Sequence, residues 1–163
     1  MGVGPTAAAV TSAPATVRHD VTFMSMLVPH HETAIRMATV AQQRAAVSQV
    51  RALAARIIAA QTAEIRQIRN WLQRHGARPM TDPPAVQQMN SQDLEMLRSV
   101  PRTEVDRMFL MMMRMHHAQA VSMAIDELQN GKNREALDLA QSVKDDQSQE
   151  ILTMNRLLRS LGR

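Results

Sequence analysis

The sequence predicts an all-α protein, a four-helix bundle built by tandem duplication of a helical hairpin. Three observations lead to this prediction. Aromatic residues make up only 2% of the 163 residues, whereas the helix formers Ala, Leu, Met, Gln and Arg are abundant. Apolar residues recur at helical spacing along most of the chain. Finally, two halves of the chain align without a gap at an offset of 86 residues, with Asp20 over Asp106.

The duplication is clearest where "DVTFMSMLVPHHETAIRMA" lies over "DRMFLMMMRMHHAQAVSMA". The same offset continues through the following segment, where Gln61 and Glu64 match Gln147 and Glu150. A match over nearly 60 residues is typical of a duplicated supersecondary unit. We therefore predict a single domain over 18–163, with repeat 1 at 18–76, a connector at 77–102 and repeat 2 at 103–162.

Each repeat is predicted to form two helices, over 19–44 and 48–75 in repeat 1, and over 103–130 and 133–161 in repeat 2. Residues 1–17 are small and almost uncharged, which predicts a flexible lead-in. Prolines exclude one long helix from the connector, but Ser91 to Ser99 could form a short one. The connector is long enough to run back along the bundle, so the first and third helices are expected to be antiparallel with their histidine pairs at one level.

Two residues of the first repeat are expected to end or bend its helices. Gly76 follows the second helix, where a glycine in the left-handed region commonly ends a helix. Pro29 lies inside the first helix, directly before His30, and a kink is expected because proline cannot bond the carbonyl of Ser25. Repeat 2 has Met115 at the corresponding position, so the two half-sites should be similar but not identical.

The repeated pattern Met-x3-His-His indicates a metal site. Thioether is a soft ligand and imidazole is borderline, a combination that suits Cu(I) better than Cu(II). His30 and His116 are expected to point inward, with the second histidine of each pair at the boundary, since adjacent residues lie ~100° apart on a helix. The candidate ligands are Met26, His30, His31, Met37, Met112, His116, His117 and Met123, with Met111, Met113 and Met115 as possible additions.

Polar residues also interrupt the apolar stripe of the second and fourth helices. Uncompensated polar groups in a core cost roughly 1–3 kcal/mol, so they need partners. We predict that these groups orient the imidazoles through the nitrogen that does not face the metal. They are Gln61, Glu64, Gln147 and Glu150. The alternative is a packed core in which methionine fills gaps and histidine and glutamate satisfy one another.

Composition excludes several other classes of protein. Cysteine is absent, which rules out disulfides, thiolate sites and a cysteine nucleophile. No Glu-x-x-His motif is present, so a di-iron carboxylate centre is a poor fit. The charge is +4, but the arginines are scattered and few aromatics could stack on bases, which argues against nucleic-acid binding. No apolar run approaches ~18–20 residues, so no membrane span is expected.

The segments "FMSMLVPHHETAIRMA" and "FLMMMRMHHAQAVSMAIDEL" resemble the two signature helices of the bacterial domain-of-unknown-function family 305. "LAARIIAAQTAEIRQIRNWL" is similar to the family's second helix. The resemblance covers about residues 18–162. It implies a ferritin-like bundle, copper binding of the CopM type through the histidine and methionine residues named above, and a location outside the cytoplasm.

The predicted function is therefore binding of copper, chiefly Cu(I), for sequestration, trafficking or resistance outside the cytoplasm. Another copper protein is a possible donor or acceptor, and no catalytic residue is identified. Two alternatives are a metal-free helical interaction module and a redox enzyme that uses the same metal.

Overall fold

The computed structural model describes residues 15–162 and contains five helices and no strand within that range. They are α1 (Ala15–Arg44), α2 (Ser48–Arg74), α3 (Pro84–Ser99), α4 (Arg102–Asn130) and α5 (Arg134–Leu161). The all-α prediction is confirmed. Most of the predicted lead-in lies outside the described residues, but α1 already begins at Ala15. None of the helices in the described range is both long and apolar enough to cross a membrane.

The connector differs most from the prediction. Its helix α3 begins at Pro84 rather than at Ser91 and has 16 residues. Proline is accepted in the first turn of a helix because the amides there have no partner within the helix. Pro83 and Pro84 therefore start α3 instead of excluding it.

The helices pack in pairs, α1 against α2 and α4 against α5, and α1 and α4 contact each other along the centre. The hydrophobic core forms two clusters. One contains Phe23, Leu27 and Trp71 together with Ala124. The other contains residues from the opposite ends of the same helices, including Phe109. Since α1 and α4 each contribute to both clusters, the middle of these two helices separates them, and the four adjacent histidines lie at this level.

Two buried aspartates join the halves of the chain. Oδ1 of Asp20, on α1, accepts hydrogen bonds from the backbone N–H groups of Lys132 and Asn133 at 2.9 and 2.8 Å, where α5 begins. The carboxylate of Asp106, on α4, accepts equivalent bonds at the start of α2, from the N–H groups of Ala46 and Val47. The N–H groups at the start of a helix have no partner within it, so each carboxylate satisfies two of them. Each half thus caps the second helix of the other.

The connector is fixed by backbone contacts at both ends. Pro29 leaves the carbonyl of Ser25 without its helical donor, and the backbone N–H of Met80 supplies that bond at 2.9 Å. At the end of α3, the guanidinium of Arg44 donates to the carbonyls of Leu97 and Val100 at 2.9 and 2.8 Å. Leu97 is the buried residue of α3. The C-terminal end of α3 therefore fixes this helix next to the contact between α1 and α4.

The expected glycine cap is confirmed, because Gly76 follows α2 with φ +63°. α1 continues as one helix through Pro29, and the kink expected there stays a prediction.

Candidate metal centre

Four imidazole rings occupy the layer between the two hydrophobic clusters. His31 on α1 and His117 on α4 are completely buried, with 0% of each side chain exposed. Nε2 of His31 lies 2.5 Å from Oε2 of Glu64, on α2, and Nε2 of His117 lies 2.6 Å from Oε2 of Glu150, on α5. The two halves therefore present the same pair of groups at nearly the same distance.

The other two histidines meet face to face. The rings of His30 and His116 stack with centroids 3.7 Å apart and planes inclined by 25°. Burial, with a further contribution from the His31 ring, lowers the pKa of His30 from 6.5 to about 3. Burial and the neighbouring imidazoles also lower the pKa of His116 well below its ordinary value. Both rings are therefore neutral at physiological pH, and each retains a nitrogen lone pair.

The expectation that the second histidine of each pair lies at the boundary was wrong. His31 and His117 are more deeply buried than His30 and His116. The physical reason is that α1 packs against α2, α3 and α4 at once, and α4 packs against α1, α3 and α5. A central helix is buried over a wide arc, so two adjacent residues ~100° apart can both be enclosed.

Most ring nitrogens of this layer are buried and have no hydrogen-bond partner. They are His30 Nδ1, His30 Nε2, His31 Nδ1, His116 Nδ1 and His117 Nδ1. A neutral imidazole that donates from Nε2 to a carboxylate carries its lone pair on Nδ1. Glu64 and Glu150 thus select the tautomers of His31 and His117 that leave Nδ1 as a free donor atom for a metal.

A cavity of about 420 Å³ opens onto the stacked pair, between α1, α4 and the connector. His30 and His116 line it together with four methionines, which are Met26, Met80, Met89 and Met123. Two of these, Met80 and Met89, belong to the connector and were missed by the sequence prediction. Two methionines in a proline-rich segment do not by themselves indicate a ligand, because the sequence does not show where the connector lies.

The other predicted methionine ligands lie elsewhere. Met37 and Met113 are buried in the hydrophobic cluster that contains Phe109. Met111, Met112 and Met115 line a separate groove between α3 and α4. The structure therefore brings Met26 and Met123 to the histidine cavity and leaves the remaining methionines of the predicted set outside it.

Gln61 and Gln147 are buried at matching positions on α2 and α5, as their place in the apolar stripe predicts. The Oε1 atom of each is buried without a hydrogen-bond partner. Within the described residues, the contact to an imidazole is made by the carboxylates of Glu64 and Glu150 and not by these amides. The two glutamines add further unpaired acceptors close to the histidine layer.

Within residues 15–162, no group of three or more His, Asp or Glu side chains is arranged to hold a metal ion. Zinc and di-iron centres are usually assembled from such groups. At the histidine cavity, the side chains of Met26 and Met123 add thioether sulfur, a soft donor, to the imidazole nitrogens.

A family model described as "Domain of unknown function (DUF305)" matches residues 20–158. The chain belongs to the DUF305 family. A comparison with curated proteins finds no match. This DUF305 chain is similar to a solved DUF305 fragment from Deinococcus radiodurans, with 28% identity, a TM-score of 0.82, and coverage of 90% of this chain and 99% of that one.

Two further solved structures have the same helical fold. A predicted secreted DUF305 protein from Streptomyces coelicolor is 24% identical, with a TM-score of 0.81 over 91% of this chain and 96% of that one. CopM in its Cu(I)-bound form is 32% identical, with a TM-score of 0.76 over 86% of this chain and 96% of that one. CopM has also been solved in Cu(II)-bound and silver-bound forms.

Proposed function

We propose that this DUF305 protein binds Cu(I) at its histidine layer and serves in copper sequestration, trafficking or resistance. The observation that supports this most strongly is the set of buried Nδ1 atoms without partners on all four rings. Leaving buried polar atoms unpaired costs free energy, roughly 1–3 kcal/mol for each group. Such a concentration at one level of the core is expected where the atoms have an exogenous partner.

The residues present fit a soft monovalent ion. His31 and His117 offer Nδ1 lone pairs that Glu64 and Glu150 orient, while His30 and His116 are neutral and need lose no proton to coordinate. Met26 and Met123 add thioether sulfur from the cavity wall, and Met80 and Met89 add it from the connector. The metal would be the protein's cargo, and a partner copper protein would be its donor or acceptor.

The similarity to CopM supports the choice of copper, since CopM is a protein solved with Cu(I), Cu(II) and silver. The location we propose is outside the cytoplasm. Methionine and histidine can hold copper where cysteine thiols would be oxidised, and this chain has no cysteine. We further propose that the domain is a ferritin-like bundle that arose by duplication of one helical hairpin, with α3 added in the connector.

The test is a Cu(I) titration against a chromogenic chelator, with the parent compared with the variants His30→Ala and His116→Ala. Both substitutions should lower the affinity for Cu(I), because each removes a ring that lines the cavity. His19→Gln is the matched control, since His19 lies outside the histidine layer and contacts Asp126. Equal affinities in all four proteins would refute the proposal.

The same titration separates the two rival functions. A metal-free interaction module would bind Cu(I) more weakly than micromolar in the parent, and the His31–Glu64 pair would then be only a core hydrogen bond. A redox enzyme would turn over oxygen or peroxide once loaded with copper. Measuring turnover on the copper-loaded parent therefore distinguishes a carrier from an enzyme.

A further inference from the structure

A second group of methionines lies outside the histidine cavity, in a groove of about 250 Å³ between α3 and α4. Five of its eight lining residues are methionines: Met96, Met108, Met111, Met112 and Met115. Four of them come from α4 and one, Met96, faces them from α3. Two helices therefore direct thioethers into one groove.

The exposure of Met96, Met111 and Met115 argues against simple packing, whereas Met108 and Met112 are partly buried against the cluster that contains Phe109. Methionine usually fills gaps in a core, where it is buried. Six of the eight large hydrophobic side chains that are exposed in the described residues are methionines, 41–65% exposed. All six line either this groove or the histidine cavity. Within the described residues, the exposed methionines are therefore grouped in two places, whereas the two other exposed large hydrophobic side chains, Ile125 and Leu152, lie outside both.

The charges at the groove are compatible with a cation. Asp93 and Glu104 contribute two carboxylates to its rim, and Arg107 contributes one guanidinium. No histidine and no amide lines the groove. The donors of the groove are therefore five thioethers and two rim carboxylates without an imidazole, a set that favours Cu(I) and its analogue Ag(I) over zinc.

We infer that the groove between α3 and α4 is a second soft-metal site, formed by the thioethers of Met96, Met108, Met111, Met112 and Met115. It binds a monovalent soft cation at the surface, independently of the histidine layer. Met112 lies four residues before His116 on α4, about 6 Å along the helix axis. The groove is therefore placed to receive the ion before it reaches the histidines. The transfer of the ion from the groove to the histidines rests on the proposed function, whereas binding in the groove does not.

The test uses Ag(I), which does not change oxidation state, and protein labelled with carbon-13 at the methionine methyl groups. Each resonance is assigned from a single Met→Leu variant. Titration should shift the methyl resonances of Met96, Met108, Met111 and Met115. Met24 and Met154 are internal controls, since both are fully buried and line neither cavity. Shifts confined to Met26, Met80, Met89 and Met123 would overturn the inference.

Two triple variants make the result quantitative. Replacing Met108, Met111 and Met115 with leucine nearly conserves volume, so folding should be retained. This variant should lose at least one bound equivalent of Ag(I) by native mass spectrometry while the shifts of Met26 and Met123 persist. The reciprocal control, with leucine at Met26, Met80 and Met89, should retain the shifts of Met108 and Met111. Unchanged stoichiometry in the groove variant would overturn the inference.

The two proposals fail in different ways. If the histidine layer binds no metal but the groove does, the groove resonances shift while those of Met26 and Met123 remain in place. If the groove is only a hydrophobic docking surface, its resonances do not respond to Ag(I) at all, and the inference is refuted while the histidine layer still binds.

Discussion

The two halves of the molecule agree at the histidine layer and differ in what surrounds it. On one side His31 meets Glu64 at 2.5 Å, and on the other His117 meets Glu150 at 2.6 Å. Directly before the histidines, α1 has Pro29 where α4 has Met115. The histidine–glutamate pairs are thus repeated in both halves, whereas the residue before the histidines is not. This difference is expected if one centre uses both halves and each half contacts a different part of the connector.

A second difference lies at the aspartate caps. Asp106 caps the start of α2, and Ala41 and Ala45 come shortly before that helix. The aligned residues before α5, which Asp20 caps, are Glu127 and Gly131. Glu127 is completely buried, and both of its carboxylate oxygens lack a hydrogen-bond partner. A Cβ at position 131 would lie 2.4 Å from Oε1 of Glu127, so the glycine makes room for this carboxyl. The cap of α5 therefore contains a buried acidic pair that the cap of α2 lacks.

The largest effect is expected from removing the Asp106 carboxylate, which caps α2 without a second buried acidic group beside it. Asp106→Ala removes a buried carboxylate that accepts two hydrogen bonds, from the N–H groups of Ala46 and Val47, and should lower the free energy of unfolding by about 2–5 kcal/mol because hydrogen bonds to charged groups are the stronger ones. Asp20→Ala should cost less, because it also relieves the contact with Glu127. Urea-induced unfolding measures both. Asp138→Ala, which removes only an exposed pair with Arg134, is the control. A larger loss in Asp20→Ala than in Asp106→Ala would contradict this account.

The acidic pair also predicts a pH dependence of stability. Burial and the neighbouring Asp20 carboxyl raise the pKa of Glu127 from 4.5 to about 8. His19 and Asp126 also lie beside it. Because the folded pKa exceeds the unfolded one, the stabilisation is fully present below pH 4.5 and is lost as the pH rises through 8. The free energy of unfolding should therefore decrease between pH 4.5 and 8 and level off outside this range.

Glu127→Gln removes the titrating proton and should flatten the dependence of the unfolding free energy on pH between 4.5 and 8. The control is Glu95→Gln, which alters an exposed glutamate on α3 and should keep the slope of the parent. If Glu127→Gln and the parent lose stability in parallel over this range, the acidic pair is not its source.

The shared chemistry of the two halves predicts equal effects on copper. Glu64→Gln and Glu150→Gln should each weaken Cu(I) binding by roughly 10–100-fold without abolishing it, because the amide fixes the imidazole tautomer less well than a carboxylate. The affinity comes from chelator competition and the stability from urea unfolding of the same proteins. A loss of stability with unchanged affinity would mean that these carboxylates serve only the core, and unequal losses of affinity would mean that the centre belongs to one half.

Helical periodicity was sufficient to predict four of the five helices and the burial of Gln61 and Gln147, because amphipathic patterns are local. It could not predict that His31 would be more deeply buried than His30, since that depends on how many neighbours surround α1. Met80 and Met89 were missed for a related reason. Their position depends on a contact between Met80 and Ser25, which are 55 positions apart in the sequence.

The contact between Met80 and Ser25 leads to the smallest predicted effect. It depends on Pro29, which the second half replaces with Met115, so it distinguishes the two halves directly. In Pro29→Ala, the new N–H at position 29 competes with the N–H of Met80 for the carbonyl of Ser25. A single hydrogen bond contributes about 0.5–1.5 kcal/mol, so hydrogen exchange at the Met80 amide should accelerate by roughly 2–10-fold. Met115→Ala, at the aligned position of α4, is the control and should leave this exchange rate unchanged. Equal protection of Met80 in Pro29→Ala and the parent would show that the connector is held over the histidine cavity by its side chains and not by the carbonyl that proline leaves free.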